Sequence, residues 1–271
     1  MFHRKMKTLS VVCNPSNKQS DGKYVIPMSA LSSESVIGAS VKSVVFRNLF
    51  YNVVGSGPLK NNVFHFTLDE TPEEVIIPEG FYTIAQLLPI VQAGIQTLMD
   101  FRAPVVQTVL MTYSLITLKV TIKVTDNGNL DIFGLSGGSF VDSINALLGN
   151  TVDVVLDTLF AVPYEMDQMM DLSGEDASQL VIEELSQSSG MYNSPTDQSG
   201  STNGLMTLLS YRGAGFGELC DWQNPDPIGT MLLYDLAQDI SNLNIYLQTA
   251  SGATLDNQGA DIHVELLLHL Q

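Results

Sequence analysis

The chain has 271 residues, 45% apolar and 15% charged. That is apolar material for a real core, under a surface poorer in charge than the roughly one quarter of an average soluble domain. The net charge of −17 repels phosphates and excludes a general nucleic-acid-binding body. Two distant cysteines, Cys13 and Cys220, form neither a disulfide framework nor a zinc pattern, which points to a reducing compartment.

The charge is unevenly spread. Residues 1–60 hold eight Lys/Arg and two acids, whereas residues 61–271 hold four Lys/Arg and 27 acids. No basic residue lies between Lys123 and Arg212, a stretch with 13 acids. Arg4, Lys5, Lys7, Lys18 and Lys23 mark residues 1–35 as a basic arm, the one part suited to an anionic partner, nucleic acid included. A short strand over 9–12 is expected within it. The start, Met1-Phe2-His3-Arg4-Lys5, leads into no long apolar run, so neither a signal peptide nor a membrane span of roughly 20 residues is expected.

Residues 41–54 read as a long strand ended by Gly55-Ser56-Gly57-Pro58, pairing with a second strand over 62–68. A short strand at 74–77 stops at Pro78-Glu79-Gly80. Ile84, Leu87, Leu88, Val91, Ile95 and Leu98 then recur at helical spacing. Thr83 and Gln86 fit a capping box, Pro89 predicts a kink or a later start, and Gly94 weakens the helix further. Residues 108–125 are β-rich but too long for one strand. Asp126-Asn127-Gly128-Asn129 predicts a hairpin turn returning through 130–133. Residues 139–149 read as a second short helix.

A strand over 152–162 follows. Residues 165–204, acidic and Ser/Gln-rich, read as an excursion ordered only at 180–185. Further strands are expected at 205–211, 243–249 and 262–270, with 231–236 a strand or a turn. This predicts an all-β fold: an antiparallel β-sandwich with two short helices and an acidic surface excursion. The organisation expected is a basic arm over 1–35 and a single domain over 36–271, interrupted at 165–204.

Catalytic chemistry is sparsely supplied. His3 lies in the arm. His65 alternates away from Phe64 and Phe66. His263 and His269 share a face of the last strand, about 20 Å apart by strand rise, too far to share a metal. No nucleophile elbow, zinc-binding His-Glu-x-x-His or phosphate loop occurs. Gly213-x-Gly215-x-Gly217 reads as a turn, and Asp126 to Asp131 lacks the length and terminal Glu of a calcium loop. No enzyme activity, metal, cofactor or small-molecule ligand is expected. The low charge instead suits a protein covered by neighbours, because interface cores are depleted in charge.

Residues 75–88, Val-Ile-Ile-Pro-Glu-Gly-Phe-Tyr-Thr-Ile-Ala-Gln-Leu-Leu, turn from a strand through Pro-x-Gly-x-Tyr into an amphipathic helix. This resembles a module of minor capsid and penton proteins of virophages, polinton-like viruses and related large DNA viruses. Ala146-Leu-Leu-Gly149 and the pair of strands at 243–249 and 261–270 resemble further parts of those proteins, in outline over 41–160 and 205–271. Pro89 and the acidic excursion depart from the pattern. The resemblance implies a jelly-roll sandwich assembling as a pentamer at capsid vertices, with itself and the major capsid protein as partners. The location implied is the virion, after synthesis in host cytoplasm or nucleus. Arg4, Lys5 and Lys7 are the expected partner-contacting residues. The alternatives are a compact double jelly-roll major capsid protein, assembling as a trimer, and a receptor-binding or spike module using 165–204.

Overall fold

The structure is a computed structural model. It describes residues 5–28, 34–102, 108–125, 133–137, 140, 142–156, 158, 161–174, 177–185, 205–210 and 214–271. The chain opens with β1 (Lys5–Cys13), β2 (Tyr24–Pro27) and β3 (Val36–Arg47). It continues through β4 (Val63–Leu68), β5 (Thr71–Ile76), α1 (Ile84–Arg102), β6 (Thr108–Tyr113), β7 (Val120–Thr125), β8 (Phe133–Leu135), β9 (Val154–Leu156) and β10 (Tyr164–Glu165). It closes with β11 (Ala177–Ile182), β12 (Leu205–Ser210), β13 (Leu219–Gln223), β14 (Leu232–Gln238), β15 (Asn242–Gln248), β16 (Thr254–Leu255) and β17 (Ile262–Leu270). The chain divides into two units: residues 1–50 with 175–271, and residues 51–174. The sequence predicts one domain from residue 36 onward. In the structure, the segment set between two parts of a sandwich is 51–174.

The first unit holds two antiparallel five-stranded sheets. One runs β1-β17-β3-β13 with β14 also on β3; the other runs β12-β11-β15-β16 with β2 also on β15. Alternation decides which face is buried. In β17 every second residue from Ile262 to Leu270 is buried, and His263, Glu265, Leu267 and His269 face out. A side-chain period of two forces this on any strand with one wet face. Cys13, Val44, Phe46, Leu180, Ile245, Leu247 and Val264 fill the interior. β3 is buried on both faces over most of its length. Its outer Ser40 hydroxyl is satisfied by donating to the Pro227 carbonyl at 2.6 Å.

The second unit holds the sheet β5-β4-β8-β9, the sheet β10-β7-β6, and α1. Its core gathers Phe64, Phe66 and Leu68 from β4, Leu87, Val91, Ile95 and Met99 from α1, and Val120, Ile122 and Val124 from β7. α1 begins at Ile84 despite Pro89. The Gln86 side-chain oxygen accepts from the Thr83 N–H and from the Thr83 hydroxyl, each at 3.0 Å. That is half of a capping box, the hydroxyl turning to the amide rather than to the backbone. Gly94 has a packing reason: a Cβ there would lie 2.4 Å from a Val75 methyl.

Several expectations are corrected. β1 extends the predicted strand at 9–12 to Lys5–Cys13, paired along its whole length with β17. β3 and β4 do not pair; β4 pairs with β5 and β8. The reason is local: Asp69 and Glu70 both take positive φ, +49° and +61°, closing a two-residue hairpin into β5. The return strand after β7 is not its neighbour, since β8 pairs with β4 and β9; the predicted turn at 126–129 lies outside the described residues.

The expected second helix is a run of turns over its described residues. Buried Asn145 donates to the His65 and Ser136 carbonyls, both at 2.7 Å, and accepts from the His65 N–H at 3.1 Å. Such side-chain bonds outcompete helical pairing. Of the strand expected at 152–162, the described residues form β9; residues 157, 159 and 160 lie outside them. The stretch 165–204 is not wholly an excursion, because β11 sits between β12 and β15; residues 186–204 lie outside the described residues. The strands at 242–248 and 262–270 are both present but belong to different sheets.

Candidate interaction surfaces

The basic N-terminal residues are built into the fold. Lys5 and Lys7 lie on β1 in the same row as Leu9, Val11 and Cys13, which is progressively buried towards Cys13. Both ammonium groups meet Glu34, at 3.1 and 3.4 Å. The Lys5 contact, then that of Lys7, holds the Glu34 carboxyl below the usual carboxylate range. Lys18 pairs with Asp256, and Lys23 with Glu183 at 2.6 Å. The positive segment is therefore largely answered by acids of the same chain. Lys5 stays the more open, its side chain 64% exposed against 32% for Lys7. Arg4 lies outside the described residues. Among the described residues β1 ends its sheet, and lysines on an edge strand discourage uncontrolled strand addition.

The titratable groups form structural pairs. His65 Nε2 lies 3.0 Å from Asp142 Oδ1, and its ring stacks on Phe140 at 4.1 Å. Lys60 reaches the other Asp142 oxygen at 3.0 Å. The Lys60 hydrogen bond, then that of His65, keeps the Asp142 carboxyl below its ordinary range. His263 and His269 stand on the outer face of β17 with Glu265 between them, and Glu265 pairs with Lys42 at 3.0 Å. Burial, then the nearby Asp261 charge, pushes the Cys13 thiol up to about 12. Burial also raises Cys220. Gly217 has φ +84° and Gly215 donates to the Glu218 carboxylate at 2.8 Å, a tight turn. His3, Gly213 and residues 126–131 lie outside the described residues. Among the described residues no three His, Cys, Asp or Glu gather as a metal-holding group, and no helix is long and apolar enough to cross a membrane.

A surface that element assignment from sequence misses lies on the second unit. Among the described residues β6 pairs with β7 alone, and α1 covers its other edge. There the Gln96 and Gln92 side-chain oxygens accept from the Val109 and Met111 N–H groups, at 3.0 and 2.9 Å. Two helix glutamines thus take the place of a neighbouring strand. Between helix and edge runs a groove of about 610 Å³, with Leu88, Pro89, Ala93, Met111 and Tyr113 in its walls. Pro89 has no N–H to offer the Ala85 carbonyl. Beside the groove, the turn from β6 to β7 carries Leu115 and Ile116, 76% and 95% exposed. The one sequence signal for this surface is the absence of Asp, Glu, Lys and Arg from 81–99 and again from 103–118.

No protein-family model and no curated protein matches the sequence. Comparison with solved structures does find a likeness. The crystal structure of the mavirus penton protein matches with a TM-score of 0.51 at 11% identity, over 98% of this chain and 100% of that one. The chain has the fold of a penton protein. A chain of the Sputnik virophage structure, solved by cryo-electron microscopy, aligns at 10% identity with a TM-score of 0.44, covering 97% of each. The penton fold spans both units, so the second unit belongs to the architecture. It bears out the jelly-roll-like, antiparallel β reading of the sequence.

Proposed function

We propose that this chain is a structural protein of a virus particle, and specifically its penton, closing the fivefold vertices as a ring of identical copies. The observation that carries this is the penton fold matched along the whole chain. The low charge content supports it, because a chain with 15% charged residues has faces that neighbours can cover at little desolvation cost. Its partners are then further copies of itself and the surrounding major capsid protein. The work is geometric and no chemical step is assigned to it. The basic end, through Arg4, Lys5 and Lys7, faces the capsid interior or the major capsid lattice, while the acidic body is turned outward.

Cryo-electron reconstruction of the particle tests this. Density for the chain on the fivefold axes, with residues 1–35 on the inner side, is the expected result. Density on the particle faces as trimers fits a major capsid protein instead. Loss of attachment with intact assembly, on deleting 186–204 while keeping β11, fits a receptor-binding module.

A further inference from the structure

The second unit carries a knob and a hole of matching chemistry. The knob is the β6–β7 turn. The Ser114 hydroxyl accepts from the Ile116 and Thr117 N–H groups at 3.2 and 3.1 Å, and the Leu118 N–H donates to the Ser114 carbonyl at 2.9 Å. Leu118 closes the turn at φ +55°. The turn is thus pre-shaped, and Leu115 and Ile116 are displayed on it rather than packed under it. The hole is the α1–β6 groove. Its volume lies within the range of clefts that hold drug-sized ligands, ample for two aliphatic side chains. Two of its polar side chains, Gln92 and Gln96, are already engaged with the β6 edge.

The charge distribution favours a second copy of the chain as their occupant. Copies of a chain with net charge −17 repel one another wherever their acids approach. The stretches 81–99 and 103–118 contain no charged residue, and these two stretches build both features. This is a surface on which identical copies meet without like-charge repulsion. A knob of one copy seated in the hole of the next joins unlike features, and such head-to-tail contacts close into rings where the rotation between copies allows it.

Resting on the penton reading, we infer that Leu115 and Ile116 of one copy seat in the α1–β6 groove of the next, forming a head-to-tail contact between second units.

The test uses the full chain and its native mass across a concentration series. The knob variant is Leu115→Lys with Ile116→Lys; the groove variant is Ala85→Lys with Ala93→Lys. All four positions are exposed, and unchanged circular dichroism and melting verify folding. Lysine lowers the net negative charge, so added repulsion cannot explain a loss. Each variant alone is expected to weaken self-association about thirtyfold or more, as loss of buried anchors does. Mixed one to one, the variants are expected to form a two-chain species and stop there, because each supplies the half the other lacks. Variants that assemble like the wild type, or fail to complement when mixed, would overturn the inference and leave the penton reading standing. A wild-type chain that stays monomeric at every concentration would overturn both.

Discussion

Gly94 looks in the sequence like a weak point of a helix, and its replacement by alanine like a gain of about 1 kcal/mol. The structure reverses the sign. A methyl group there would overlap Val75, so Gly94→Ala is expected to cost roughly 1–3 kcal/mol through overpacking, read from urea denaturation. Asn145 is fully buried and serves three backbone groups. Asn145→Ala strands them, at roughly 3 kcal/mol or more. Cys13 is buried with its thiol pushed up to about 12, so it stays protonated at neutral pH and does not act as a nucleophile. Native protein should leave Cys13 unalkylated by iodoacetamide at pH 8 and expose it only on unfolding, checked by mass spectrometry. At Asp142 the folded carboxyl is lowered, first by Lys60 and then by His65. Its contribution to stability is present above the ordinary carboxylate value of about 3.9 and is lost as pH falls through the lower folded value. Lys60→Met should move the Asp142 titration, followed by NMR, back up towards that ordinary value.

Elements were legible where one face is wet and one dry. β17 and β4 alternate cleanly, and α1 repeats its buried residues at Leu87, Val91, Ile95 and Met99. Pairing was less legible. The β4–β5 turn uses Asp69-Glu70 at positive φ without the Asn-Gly or Asp-Gly that announces such turns. β11 was legible only in part, as the ordered 180–185, because its Leu180, Val181 and Ile182 sit among acids that dominate the local composition. The 140–150 segment has helical spacing, yet its asparagines redirect the backbone. The cover of the β6 edge by Gln92 and Gln96 was beyond sequence altogether, since it depends on helix and strand meeting in space. Replacing both glutamines by alanine should speed hydrogen exchange at the Val109 and Met111 amides specifically, with α1 still formed.

For the whole molecule, the absence of catalytic motifs and the low charge pointed to a protein that works by contact. The strand–turn–helix resemblance around 75–88 pointed to capsid proteins, and the penton fold of the complete chain agrees with it. The sequence reading expected a single domain over 36–271 interrupted at 165–204, and the structure divides into two compact units. Composition drew attention to acidic 165–204, whereas the separate unit is 51–174, ordinary in composition and visible only through its own core. The charge census foresaw a basic segment and an acidic body. In the structure Lys5, Lys7, Lys18 and Lys23 each find an acid of the same chain, which turns part of that polarity into internal pairing.

The most direct test of self-assembly into a vertex ring is the native mass of the purified protein. The account predicts a species five times the mass of the 29.5 kDa chain, growing with concentration at the expense of monomer. A species of three chains, or a monomer at all concentrations, would contradict it.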